Sequence, residues 1–386
     1  MTTEREDYEL LRAIARPPAA LAGEQISRFA RGVRDWDSLL RTANEHHVLP
    51  LLYTRLGSRL SQSGAAVTPE VEDRLQFAYQ RNAFHSLANA AELIAVLKAF
   101  DRRGIPAMPF KGLVLAASIY GDVTARHAGD LDILIHLQDR ERATAVLLEL
   151  GYELQTPTRP DGAPTDPDCY EYHFERPGDG MVTELRWRFD LARSKFRHDL
   201  GMDWVWPHRR TTMLAGAEVP DMEPEILLLM LCMHGSKHRW SKLLWICDVA
   251  RLLASHPGLD WRKVNQEAKR TGLWRSVALG VLLANRVAGA EVPAEVLKRF
   301  ESDRVARRMA RHIEEHLFDT PGVAPEGVVT YGIQLLGFRD RVGLVFSLDL
   351  LRPNERDRAV LELPRRLRGL YYLIRPFRIL RDRSPR

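Results

Sequence analysis

Cysteine is scarce in this chain: Cys169, Cys232 and Cys247 are the only three in 386 residues, and their spacings share no pattern. That excludes a disulfide framework and fits a reducing, cytoplasmic compartment. Long apolar runs are missing too. No run approaches the length that spans a bilayer, and the opening MTTEREDYELLRAIARP has no apolar signal-peptide segment. There is no internal repeat and no long low-complexity tract. The excess of positive charge is small, +5 with a sequence pI near 9.1, so composition does not demand a nucleic-acid partner. Much of that excess sits in PRRLRGLYYLIRPFRILRDRSPR, residues 364–386, where arginines alternate with Leu, Tyr, Ile and Phe. The segment reads as a helix packed by its apolar face, as a patch for an anionic partner or as a membrane-surface element, and Pro376 interrupts any long helix there.

The length allows two or three domains. Helical periodicity dominates residues 1–104, including an unbroken run from Glu70 to Arg103, and returns over 220–386. Between them, 105–219 reads as strand, helix, strand, helix, loop and hairpin. Pro220 and Pro224 mark the second boundary, since proline is common at a helix start. The expected fold class is therefore α+β, a small mixed sheet flanked by two helical regions.

What is present in that middle region is chemically pointed. In FKGLVLAASIYGDVTARHAGDLDILIH, residues 110–136, two carboxylates lie one residue apart at the start of an apolar strand. Strand alternation puts Asp130 and Asp132 on one face and Leu131 and Ile133 on the other. Two like charges so placed repel, and a hard divalent cation resolves the conflict. The bland alternative caps a turn with one Asp and pairs the other with Arg126. Upstream, a short strand from Ile105 to Phe110 leads through Lys111-Gly112 into a helical stretch ending at Gly121. A strand, a glycine turn and a helix N-terminus form a phosphate cradle, to which Lys111 adds a formal charge.

With Tyr120, Arg126 and GDLDILI, the Lys-Gly pair resembles the uncharacterised nucleotidyltransferase group of the DNA polymerase β-type nucleotidyltransferase superfamily. That superfamily usually carries Gly-Ser or Gly-Gly about a dozen residues before its D-x-D; here Lys-Gly stands there and the gap is longer. WDSLLRTANEHHVLPLLYTRL (36–56) is similar to the family's N-terminal helical region, and PEILLLMLCMHGSKHRWSKLLWICDVARLL (224–253) to its later helical segment.

The resemblance implies a third carboxylate on a neighbouring strand, after a helix and a variable loop. RERATAVLLELGY supplies the helix, with Gly151 as a C-cap, and the Pro- and Gly-rich stretch Gln155–Asp168 reads as a mobile loop. Then MVTELRWRFDL places Glu184, Arg186 and Arg188 on one strand face. Glu184 is the candidate, although the family more often has Asp there and a His where Arg186 stands. An exposed Glu paired with an Arg is the alternative.

The implied chemistry is in-line attack on the α-phosphate of an NTP with loss of pyrophosphate. Asp130, Asp132 and Glu184 would be the catalytic carboxylates and the ligands for Mg²⁺, with Mn²⁺ as the alternate ion. Lys111, Gly112, Arg126, Lys237 and His238 would bind the nucleotide. His234 and His238 stand i, i+4, but no third zinc ligand accompanies them. The resemblance implies instead that His234, Lys237, His238 and Asp248 face the cleft; satisfied packing is the alternative. Trp240 and Trp245 read as base-stacking or as core. AMP is the favoured group and a small molecule or peptide the favoured acceptor, with tRNA or a protein, as in toxin-type members, second. A catalytically silent member that binds a nucleotide or a partner is the third reading.

Overall fold

The structure is a computed structural model and describes residues 8–18, 23–56, 67–166, 169–189 and 200–319, with 331 and 335. The basic segment 364–386 lies outside the described residues. Residues 1–323 form one compact unit.

Five helices open the chain: α1 (Glu9–Ala15), α2 (Gly23–Arg31), α3 (Trp36–Glu45), α4 (Leu49–Leu56) and α5 (Pro69–Arg102). Asp35 caps α3, its carboxylate accepting from the Ser38 N–H, and proline occupies the first turn of α5, where no backbone donor is required. α5 corrects the reading of apolar runs. An 18-residue window of it reaches a mean hydropathy of 1.2, so by length and composition it is long and apolar enough to cross a bilayer. Here one face is committed to the core instead: Leu93, Val96 and Phe100 pack against the sheet, and Glu92 receives Arg176 and the Tyr152 hydroxyl.

The sheet follows as β1 (Ala107–Pro109), β2 (Leu131–Ile135), β3 (Glu153–Leu154), β4 (Glu171–Arg176) and β5 (Met181–Arg186), in the order β1-β2-β5-β4-β3. The β2–β5 pair is parallel and the others antiparallel. β1 is shorter than its apolar run and lies at the edge, the position that tolerates Pro109. Between β1 and β2 a short helix, α6 (Gly112–Leu115), widens into a π-turn over Ala116–Tyr120 and stops at Gly121, whose φ of +72° suits a residue without Cβ. α7 (Arg140–Glu149) crosses between β2 and β3. Within the described part of the loop, residues 155–166, the Arg159 N–H bonds to the Ala163 carbonyl, closing a turn.

A two-stranded ribbon, β6 (Arg209–Leu214) and β7 (Ala217–Met222), follows the four-residue helix α8 (Met202–Val205). Pro220 lies inside β7 opposite Thr211, so the helical region starts at Pro224, not Pro220. Among the described residues that region comprises α9 (Pro224–Lys237), α10 (Leu243–Ser255), α11 (Trp261–Arg270), α12 (Trp274–Ala288), α13 (Ala294–Glu301) and α14 (Arg304–His316). Trp240, fully buried, lies against Gly235 and Gly280, so it is core and not a base-stacking residue.

Candidate active site

The Phe110 N–H donates to the Asp132 carbonyl at 3.1 Å, prolonging the β1–β2 ladder by one rung and delivering the next residue, Lys111, to the mouth of β2. Lys111 turns sharply, with φ +61° and ψ −153°, a region that costs a residue with a Cβ about 1–3 kcal/mol. Gly112 follows at φ +44°. This turn sends the Lys111 ammonium back over the sheet, 3.2 Å from Asp132 Oδ1 and 4.8 Å from the Phe110 ring centroid.

Directly across the parallel β2–β5 pair, Asp132 stands opposite Glu184. On the other side of Glu184, β4 places Glu171 opposite Arg186. Arg186 therefore reaches three acids: Nε lies 3.3 Å from Asp132, Nη2 lies 2.8 Å from Glu171 and also pairs with Glu184. Asp130, just ahead of β2, is exposed to the cavity. Two anchors hold its loop. From α5, Asn82 and Asn89 donate to the Thr124 and Gly129 carbonyls. From the other side, the buried Arg126 fork grips both oxygens of Asp248 on α10 at 2.8 Å, and Tyr120 donates to the same carboxylate. Arg126 lines the cavity, but its fork is spent on Asp248, which lies behind the wall and not in the cleft.

The crowding shows in protonation. Desolvation raises the Asp130 pKa, helped by the Glu184 and Asp132 charges. Burial also raises Asp132 against the pull of Lys111 and Arg186. Burial works to raise Glu184, yet Arg186, the hydrogen bond to Asp132 and Lys111 leave it below the ordinary carboxylate value. Lys111 is lowered, chiefly by burial. Three carboxylates, Asp132, Glu171 and Glu184, thus meet Lys111 or Arg186 at ion-pair range, with Asp130 beside them and Lys237 further out near Glu171.

A cavity of about 580 Å³ opens between these strands and α9–α10. Met230, Met233 and Trp245 form an apolar wall, and His234, Lys237 and His238 face in beside them. The two histidines stack edge to face at 4.7 Å and both meet Trp245. Burial, with Lys237 and Lys111 near, pushes His238 down to about 4, and burial also takes His234 well below the ordinary imidazole value, which favours the neutral form of both rings. Lys237 Nζ bonds to the Tyr170 hydroxyl at 3.2 Å.

All of the expected residues Lys111, Gly112, Arg126, Asp130, Asp132, Glu184, Lys237 and His238 line this one cavity. The hard-oxygen donors and their surplus negative charge fit a divalent cation. They are not preassembled: among the described residues, ligand-type side chains converge in a group of three only at His312, Glu315 and His316 on α14, while Asp132 and Glu184 turn to lysine and arginine. Glu171, His47 and His127 were not expected at the cavity. The hairpin signal RPGDGM could have located Glu171, since pairing Arg176 with Met181 forces Glu171 opposite Arg186.

The sequence model of the uncharacterised nucleotidyltransferase family matches residues 33–289. The chain belongs to that family. This nucleotidyltransferase has no match among curated proteins. Among solved structures it is similar to the antibiotic-resistance factor ANT(2'')-Ia, at 14% identity and a TM-score of 0.31, over 60% of this chain and 98% of that one. The nucleotidyltransferase match covers α3 to α12 and with them every residue of the cavity.

Proposed function

We propose that this enzyme transfers a nucleoside monophosphate, AMP in the first instance, from an NTP to an acceptor hydroxyl with release of pyrophosphate. The observation that carries the reading is the register of Asp132 against Glu184 on adjacent parallel strands, with Lys111 and Asp130 at the same mouth. Asp130, Asp132 and Glu184 would hold Mg²⁺, or Mn²⁺ in its place. When bound, such an ion supplies Lewis acidity to the α-phosphate and acidifies the acceptor hydroxyl. Lys111 and Gly112 would take the triphosphate from the core side, and Lys237 and His238 from α9. The apolar wall of Met230, Met233 and Trp245 suits a purine. Arg126, braced by Asp248, would keep Asp130 in place through their shared loop.

In the step itself, the acceptor oxygen bonds to the α-phosphorus as the bond to the β-phosphate oxygen breaks, and Glu184 takes the acceptor proton. Positioning does most of the work in phosphoryl chemistry. A cytoplasmic setting, where NTP is available, belongs to the same proposal, and the free thiols of Cys169, Cys232 and Cys247 agree with it.

Calorimetric titration of each NTP, with and without Mg²⁺, on the native protein and on Asp130→Asn tests the reading. Binding that needs both the ion and Asp130, followed by pyrophosphate release, is expected. NTP binding indifferent to both would refute it. The hold of Arg186 on Asp132, Glu171 and Glu184 favours a second reading, nucleotide binding without turnover. Metal-dependent binding with no pyrophosphate released from the NTP in the presence of any acceptor would select it.

A further inference from the structure

The nucleotide cavity is not the end of the cleft. A larger cavity, about 850 Å³, meets it at His47, His127, Gly129 and Asp130 and runs outward along α5. A third, about 550 Å³, shares Asn44, Leu49, Ala78 and Arg81 with the second and continues in the same direction. On α5 the lining runs from Asn89 to Asp73, which at 1.5 Å per residue is ~24 Å. Seven extended residues span roughly that distance.

Two large aromatics stand along this path with little cover. Phe84 is 73% exposed and lines the second cavity; Phe77 is 65% exposed and lines the third. Seven positions apart, they share a helix face. The second cavity carries Asp130 and Asp179 against Arg81, with Asp179 held by Arg176, and positive charge prevails in the outer one. The outer cavity carries Arg41, Arg74 and Arg81 against Asp73, and among the described residues only Arg74 of the three has an ion-pair partner, Asp37. Arg41 and Arg81 have no ion-pair partner among the described residues.

We propose that the acceptor is an extended peptide of apolar and acidic residues lying along α5, with its serine, threonine or tyrosine hydroxyl held at the cavity junction by His47 and His127. This rests on the nucleotidyl-transfer reading above and names its substrate class. The junction is built for a hydroxyl. His47 occupies the left-handed region at φ +59° and brings its ring to 4.5 Å from that of His127. The Lys242 ammonium lies 3.2 Å from His47 Nε2, so that nitrogen accepts and in the neutral ring Nδ1 carries the proton. Both rings line the junction of the two cavities together with Asp130.

The test uses an array of peptides of about ten residues, long enough to fill the path, each with a central serine and varied flanks. The protein, Mg²⁺ and ATP labelled at the α-phosphate are applied, with N-acetylserinamide as the short acceptor. Peptides with apolar and acidic flanks should be labelled and the short acceptor about tenfold less. Phe84→Ser should reduce peptide labelling by about tenfold, and Arg81→Glu should move the preference towards basic flanks, while ATP binding measured by calorimetry stays unchanged in both. Equal labelling of the short acceptor, or variants that label as the native protein does, would overturn the peptide assignment. So would an unlabelled array while ATP binding still requires Asp130. Loss of ATP binding in the native protein would remove the underlying reading and this one with it.

Discussion

Asp132 and Glu184 stand face to face across the parallel β2–β5 pair, and each is paired with a cation. Asp130, two residues earlier, has no ion-pair partner among the described residues. The carboxylates are thus not equivalent, and substitutions should separate them.

Asp130→Asn should leave the fold within about 1 kcal/mol of native, because an exposed side chain without an ion-pair partner is removed. Transfer should fall on the order of a hundredfold or more. Asp132→Asn should lose activity and also about 3–5 kcal/mol of stability, since Lys111 and Arg186 are left in a buried site short of a counter-charge. Urea denaturation beside pyrophosphate release distinguishes the two. Equal stability losses would show that Asp132 is not the structural member of the pair.

Lys111 combines an unfavourable backbone with a buried charge. Lys111→Gly should be more stable than Lys111→Ala by about 1 kcal/mol, because glycine adopts φ +61° freely. Both should weaken ATP binding about tenfold and leave adenosine binding unaltered. Titrating ATP and adenosine into the two variants checks this; an equal loss for adenosine would place Lys111 away from the phosphates.

Gly235 has no room for a side chain. A Cβ there would meet the Trp240 ring at 2.6 Å. Gly235→Ala should cost about 1–3 kcal/mol through overpacking, and Trp240→Leu in the same chain should recover part of it. A thermal shift near zero for Gly235→Ala would mean that the α9–α10 junction repacks freely.

His46 links pH to stability. Its Nδ1 accepts the Leu243 N–H at 3.0 Å, fastening the α3–α4 turn to the start of α10, and burial with the nearby Lys242 charge lowers its pKa from 6.5 to about 4. The unfolded chain therefore takes up this proton first. The contribution is complete above pH 6.5 and is lost as pH falls towards 4, roughly 3 kcal/mol in all. Denaturation at pH 7, 5.5 and 4.5 should show the loss, and His46→Gln should flatten it. An identical slope in that variant would assign the acid sensitivity elsewhere.

Much of the fold and the site was legible before any coordinate geometry, for local reasons. Alternation in LDILI put Asp130 and Asp132 at a strand mouth, and Gly121 and Gly151 marked the ends of helical segments, because side-chain period and left-handed glycine are encoded over a few residues. Pro220 misled for the complementary reason. Its ring fits a helix start and a ribbon strand equally well, and only pairing with Thr211 distinguishes them.

Arg126 and Asp248 were both visible as polar residues near a cleft, yet their bond spans 122 positions and no local pattern announces it. The same holds for the encounter of His47 with His127, and for the turning of Arg186 towards three acids from three strands. The sequence by itself determined the alternation of strands and helices, the acidic mouth of β2 and the lysine turn that meets it, because each depends on short-range sterics and periodicity. The tertiary structure decided which carboxylates are neutralised, which cations are free for a ligand and where the cleft continues. Those depend on desolvation and on charges brought together across the sheet, quantities that exist only once distant segments have packed.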